Sequence, residues 1–136
     1  MTEDIEGVLF TDGRDRVFLH PPKSYPDGHG FHHLIDIVSG PFQGTVETSS
    51  YEKLTAFVRF REELAVLYEK LKGEAHLPHS YENAKLSVRG DGLGHLVVEG
   101  EVAAGYMMQS RLRFEFSIDQ THLPQIMRAI DRFFLS

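Results

Sequence analysis

Histidine is the residue type in this chain with the clearest capacity for chemistry. The 136 residues include eight histidines, and His20, His29, His32 and His33 lie close together. Imidazole nitrogens bind zinc and exchange protons near neutral pH, so this cluster is a candidate metal site. His32 and His33 are adjacent in a predicted strand and point to opposite faces. A site would therefore pair His29 with His33, or His20 with His32, across a folded-back loop. The simpler interpretation is that all four face solvent near the start of a strand.

Other residues with catalytic potential lack the neighbours that the chemistry needs. Glu99 and Glu101 share one face of a predicted strand, but beside Gly100 they are expected to face water and not a cleft. The turn at residues 90–94 is rich in glycine, yet a strand follows it, whereas a phosphate-binding loop leads into a helix. Ser49 has no nucleophile-elbow motif around it. The sequence therefore predicts no catalytic residues and no cofactor.

Composition and charge limit the class of partner. The formal net charge is -6 at pH 7 and no basic stripe is visible, which argues against nucleic acid. The chain contains no cysteine, so disulfides and thiolate metal sites are excluded. The first residues are acidic and do not form a signal peptide, and no apolar run is long enough to span a membrane. We expect a cytoplasmic protein with a single domain over residues 1–136.

The strongest structural signal is an amphipathic helix predicted for residues 49–73. Its apolar side chains recur every three or four residues and include Phe57, Phe60, Leu64, Leu67 and Leu71. Ser49 and Glu52 have the spacing of a capping box, and Gly73 is suited to end the helix. Arg61 lies inside the apolar arc. Its head either reaches water at the edge or pairs with a buried acid, for which Asp36 is the best candidate.

Alternating apolar residues predict strands on both sides of this helix. The predicted strands cover residues 7–10, 16–20, 31–38, 42–48, 84–89, 96–103 and 112–118, and residues 74–83 form a polar connector. A second amphipathic helix follows, with Thr121 as its N-cap. Short turns favour antiparallel pairing. The sequence therefore predicts an α+β fold in which one antiparallel sheet of six to seven strands carries two amphipathic helices on one face.

Several short motifs resemble a known family. They are Gly-Pro-Phe-Gln-Gly-Thr at residues 40–45, Tyr-Glu-Asn at 81–83, the glycine-rich turn with its histidine at 90–95, and Ile-Asp-Gln-Thr at 118–121. Together with the long helix they resemble small bacterial proteins similar to the immunity proteins of wall-associated (WapI-type) toxins. The resemblance extends over residues 31–136 and involves turns and caps, not catalytic residues. It implies an α+β domain that, in some relatives, neutralises a toxin by binding it.

The leading hypothesis is a non-enzymatic bacterial protein that binds another protein, as an immunity protein does. The proline-rich loop at residues 21–30 and the acidic side of the long helix supply the predicted contacts, which are Tyr25, Asp27, His29, Glu62, Glu63 and Glu69. The alternative is a small-ligand or metal-binding protein or enzyme that uses the histidine cluster, with His29 and His33 as metal ligands. A third possibility is a homodimer joined through an exposed sheet edge.

Overall fold

The computed structural model of this protein describes residues 6–50, 55–77 and 83–135. The elements in chain order are β1 (Val8–Thr11), β2 (Arg16–Leu19), β3 (Lys23–Ser24), β4 (Phe31–Ser39), β5 (Phe42–Ser50), α1 (Thr55–Lys70), β6 (Lys72–His76), β7 (Ala84–Asp91), β8 (His95–Ala104), β9 (Ser110–Asp119) and α2 (Leu123–Phe133). Single 3-10 turns precede β9 and α2. The predicted α+β class is confirmed. Neither α1 nor α2 has the length and apolar character that a membrane-spanning helix needs.

The strands form two antiparallel sheets, whereas the sequence predicted one. The first sheet places β1, β2, β4 and β5 side by side, and the short β3 continues the β2 side of β4. The second sheet has the order β6-β7-β8-β9. Each strand set pairs internally because its members are joined by short connections, while α1 separates the two sets along the chain. Alternation identified the strands, but it contains no information on which strands share a sheet.

Strand β6 was missed because its segment looks like a polar connector. It lies within residues predicted as helix end and loop, and only Ala75 among its five residues is buried. Its pairing with β7 sets the register, with Ala75 opposite Val88. A single small apolar side chain gives no period-2 pattern, so the strand is held by its neighbour and not by its own sequence signal.

The two sheets face each other across one apolar core. Alternate residues of β2 and β4, namely Val17, Leu19, Ile35 and Ile37, lie opposite Leu86, Val102 and Phe114 of the second sheet. Helix α1 adds Phe57, Phe60, Leu64 and Leu67, all essentially inaccessible to solvent. These four are among the residues that the helical periodicity predicted to be buried. Helix α2 packs against α1 and β1 and contributes Leu123, Ile126 and Ile130 to the same core.

Both ends of α1 differ from the prediction. Ser49 lies in β5 opposite His32, so it does not cap the helix, and Glu52 lies outside the described residues. The helix ends at Lys70, and Leu71 rather than Gly73 takes the left-handed conformation that follows it, with φ of 62°. Gly73 already belongs to β6. The start of α2 differs too, because Thr121 lies in the 3-10 turn before the helix, and Asp119 caps that turn by accepting the Thr121 N–H at 3.0 Å. His122 directly precedes α2 and makes no side-chain cap bond.

Arg61 pairs with an acid of the other helix, and not with Asp36. Its Nε lies 3.1 Å from Oδ1 of Asp131, and its Nη2 lies 3.3 Å from Oδ2. Both side chains are partly exposed, so this bidentate contact bridges α1 and α2 at the surface. Asp36 instead accepts from Thr45 and lies 2.7 Å from the His20 ring. The proposed buried pair is therefore wrong, whereas the placement of the Arg61 head at a solvent edge is right.

Asn83 connects the two sheets. Its side-chain amide donates to the carbonyl of Glu47 in β5 at 2.9 Å and to the carbonyl of Ala103 in β8 at 3.0 Å. The backbone carbonyl of Asn83 accepts the Ala103 N–H at 2.8 Å. One residue in front of β7 thus holds an edge strand of the first sheet against the second.

Candidate protein-binding surfaces

The proline-rich loop forms the ordered tip of a hairpin. Strand β3 pairs with the start of β4, and beyond it the Tyr25 N–H donates to the Gly30 carbonyl at 3.1 Å. The Asp27 carboxylate accepts the His29 N–H at 2.9 Å, which closes an Asx turn. Asp27 and His29 are exposed, and the Tyr25 ring is partly exposed. The three predicted contact residues therefore lie together on a compact turn.

Stacking fixes the direction of the Tyr25 ring. It lies on the His32 ring with a centroid distance of 5.2 Å and an interplanar angle of 29°. Nδ1 of His32 in turn lies 3.7 Å from Oε1 of Glu47. An aromatic ring held by a neighbour loses little conformational entropy when it contacts a partner.

The acidic side of α1 forms a second exposed surface. Glu62 and Glu69 are exposed, and the exposed fractions of Val58 and Val66 on the same side are 41% and 48%. A shallow depression of about 380 Å³ lies between this side and β6, lined by Arg59, Glu62, Glu63, Val66, Lys72, Gly73 and Glu74. We call this region the α1 acidic face. It combines carboxylates with apolar side chains, which suits contact with a basic protein surface.

Glu63 has a structural contact that the sequence did not reveal. Its Oε1 accepts the backbone N–H of His76 at 3.2 Å. This N–H points away from β7, since the Leu77 N–H donates to the Leu86 carbonyl and ladder bonds alternate along a strand. Glu63 therefore closes part of the free edge of β6, and it differs in this respect from Glu62 and Glu69.

The histidine cluster does not converge on one site. His33 is buried, and its ring lies within 6.3 Å, between centroids, of the rings of Phe31, Phe57 and Phe134. Its Nδ1 lies 3.1 Å from the carbonyl of His20. Burial lowers the pKa of His33 from 6.5 to about 4. The solvent-facing interpretation is therefore correct for His29 and wrong for His33.

The other histidines have separate partners. Nε2 of His20 contacts Asp36, His32 lies on the opposite face of β4 from His33, and His29 is exposed on the hairpin tip. Because His33 is inside the core and His29 is on the surface, the structure does not bring together the two residues of the alternative metal site. Within residues 6–50, 55–77 and 83–135, no group of three or more His, Cys, Asp or Glu side chains is arranged to hold a metal ion.

A third surface, the outer face of the second sheet, was not predicted as a site. It carries a groove of about 660 Å³ lined in part by Lys85, Ser87, Glu99, Glu101, Arg113 and Glu115. Glu99 lies 3.5 Å from Arg89, and Glu101 accepts from Arg111 at 2.9 Å. The Arg111 hydrogen bond, helped by nearby Arg113 and Lys85, holds the pKa of Glu101 below its usual range. Each of the two glutamates is thus paired with an arginine. An acid–base pair would require the two glutamates to face each other.

Comparison with known proteins agrees with the resemblance seen in the sequence. The model of the Immunity protein WapI-like family matches residues 9–135. The match covers both sheets, both helices, the hairpin tip and the α1 acidic face. No protein with a curated description matches the sequence.

Proposed function

The chain belongs to the WapI-like immunity protein family, and from this premise we propose that it neutralises a toxin protein by binding it directly. The family match over nearly the whole chain is the observation that carries the proposal. The proposed action is non-enzymatic. It is supported by the dispersal of the histidines and by the arginine partners of Glu99 and Glu101.

We place the main contact at the α1 acidic face. Val58 and Val66 are two helical turns apart and both are exposed, so they can be buried in a partner without any rearrangement of the core. Glu62 lies between them and Glu69 follows, so carboxylates adjoin the apolar contact, with Arg59 and Lys72 at the border of the same depression. Such a surface fits a partner with an apolar patch and lysines or arginines around it, and the charges increase the rate of association.

The hairpin tip is the second proposed contact. Tyr25 is a residue type that is enriched at interfaces, and its stacking on His32 holds it in place before binding. Asp27 adds negative charge, although its carboxylate already accepts the His29 N–H. We expect Tyr25 to contribute more to affinity than Asp27 does, because the Asp27 carboxylate is already used to hold the turn through the His29 N–H.

Binding and protection assays with toxin domains encoded beside this gene test the proposal. The wild-type protein should bind one such domain and protect cells that produce it. Glu62→Lys with Glu69→Lys should weaken binding by about tenfold or more, since each reversal replaces attraction by repulsion. Glu6→Lys is a charge-reversal control, because Glu6 is exposed and lies outside α1, in front of β1. If no neighbouring toxin domain binds and none is neutralised, the proposal is wrong. If a toxin domain still binds the double variant with wild-type affinity, the α1 acidic face is not the contact surface, while the proposal of toxin binding itself stands.

A further inference from the structure

Strand β9 provides an open edge to the second sheet. It is the last strand in the order and pairs only with β8. The Gln120 N–H donates to the Gly94 carbonyl at 3.1 Å. In an antiparallel pair every second residue bonds to the neighbouring strand, so this bond shows which residues of β9 face β8. Even-numbered residues of β9 therefore bond to β8, and the backbone groups of Arg111, Arg113, Glu115 and Ser117 point outward. Across the described part of the chain, β1 of the first sheet comes close to β9, but no element other than β8 forms backbone hydrogen bonds with it.

On two other sheet edges, a side chain occupies one of the outward backbone groups. On β6, Glu63 accepts the outward N–H of His76, and on β5, Asn83 donates to the outward carbonyl of Glu47. No such side-chain bond is found along β9 among the described residues, although this strand has ten residues. An edge of this length with unpaired backbone groups is a template for a further strand.

The charges on β9 determine which strand fits. Arg111, Arg113 and Glu115 are exposed on the outer face. When two copies pair antiparallel about a two-fold axis, residues with outward backbone groups must oppose each other. A register centred on Arg113 places Arg113 opposite the partner's Arg113, although it also places Arg111 opposite the partner's Glu115 twice. One centred on Glu115 places glutamate opposite glutamate, although it also places Arg111 opposite the partner's Asp119 twice. A register centred on Phe114 places Arg113 opposite the partner's Glu115, and does so twice by symmetry.

We propose that two copies of this chain form a dimer by antiparallel pairing of β9 with the partner's β9 in the register centred on Phe114. This register has two opposite-charge pairs and no like-charge pair across the strands, whereas each neighbouring register also contains one like-charge pair at its axis. Residues 111–117 of each copy can then form about eight backbone hydrogen bonds across the axis. The two four-stranded sheets become one continuous sheet with both β9 strands at its centre.

Charge reversal tests the register directly. By light scattering over a dilution series, the wild-type protein should have twice the 15.5 kDa chain mass at high concentration. Arg113→Glu and Glu115→Arg should each raise the dimer dissociation constant about tenfold or more. An equimolar mixture of the two variants should dimerise again, because one copy then carries two acids and the other two arginines at the paired positions. Glu62→Lys, on α1, should leave the dimer unchanged.

The mixture also separates loss of pairing from loss of folding. Glu115 contacts Arg89 at 3.4 Å within the chain, so Glu115→Arg removes one intramolecular ion pair. A misfolded variant cannot be restored by mixing, whereas a folded variant with the wrong charge can. Hydrogen exchange gives a second measurement, and the amides of Arg113 and Glu115 should become protected as concentration rises. A wild-type chain that stays monomeric, or a mixture that behaves like its components, overturns the proposal.

Discussion

At the scale of single residues, His33 is a titratable side chain inside the apolar core, close to the rings of Phe31, Phe57 and Phe134. Alternation correctly indicated that His32 and His33 lie on opposite faces. It could not indicate that the inner position is covered by aromatic side chains from α1 and from the residue that follows α2, because Phe57 and Phe134 are distant in sequence. The same limitation explains Arg61. Its position at the margin of the apolar arc was visible, but its partner Asp131 comes from the other helix.

Stability should depend on pH through His33. In the folded protein the pKa of His33 is about 4, whereas the ordinary value is 6.5, so the folded state favours the neutral ring. The unfolded chain binds the proton more readily, and the stability is therefore complete above about pH 6.5 and is lost as the pH falls toward 4. The shift corresponds to roughly 3 kcal/mol of unfolding free energy.

Urea denaturation of the wild type and of His33→Gln at pH 7 and pH 4 measures this loss. The wild type should lose roughly 3 kcal/mol more than the variant between the two pH values. His29→Gln is the control, since His29 is exposed, and it should follow the wild type. Equal pH dependence in the wild type and His33→Gln would contradict the assignment.

At the scale of elements, the face of α1 was predictable and its ends were not. The three-and-four spacing of Phe57, Phe60 and Leu64 reports which side is buried, and that depends only on local sequence. The end of the helix depends on a contact with the residue that follows β7. The Leu71 carbonyl accepts the Gly92 N–H at 2.9 Å, which stabilises the left-handed conformation of a residue other than glycine.

The position of the Leu71 carbonyl also explains why residue 90 is a glycine. A Cβ at position 90 would lie 2.4 Å from the Leu71 carbonyl oxygen and 2.9 Å from Cδ1 of Leu67. The first of these is a backbone atom that cannot turn away. Gly90→Ala should therefore lower the unfolding free energy by about 1–3 kcal/mol, as overpacking does. Thermal or urea denaturation measures the change. Gly44→Ala in β5 is the control and should be nearly neutral, because a Cβ there has open space around it.

At the scale of the whole molecule, the division into two sheets is the largest departure from the sequence prediction. Turns and alternation are local, and they gave most strand positions, including the hairpin of β1 and β2. The assignment of strands to two sheets depends on contacts between distant segments. Asn83 makes one of these contacts, since it bonds to Glu47 and Ala103 across the two sheets.

Loss of the Asn83 contacts should separate the sheets locally. Asn83→Ala removes two donated hydrogen bonds and should lower the unfolding free energy by about 1–2 kcal/mol. Asn83→Asp has the same shape but presents oxygens to two carbonyl oxygens, so its loss should be larger. Urea denaturation at pH 7 ranks the variants. A result in which Asn83→Asp is as stable as the wild type would show that the amide does not donate to these carbonyls.

The proposed toxin contact and the proposed dimer contact lie at opposite edges of the second sheet. The α1 acidic face adjoins β6, and β9 is the other edge, so one contact does not obstruct the other. A dimer would then carry two toxin-binding surfaces and hold densely immobilised toxin more tightly than a single copy could. Arg113→Glu should leave the affinity for soluble toxin domain unchanged and should speed dissociation from a densely coated sensor by tenfold or more. The double reversal Glu62→Lys with Glu69→Lys should both lower the affinity for soluble toxin domain and speed dissociation from the dense sensor. Equal dissociation of the wild type and Arg113→Glu from the dense surface would show that each toxin is bound by one independent copy.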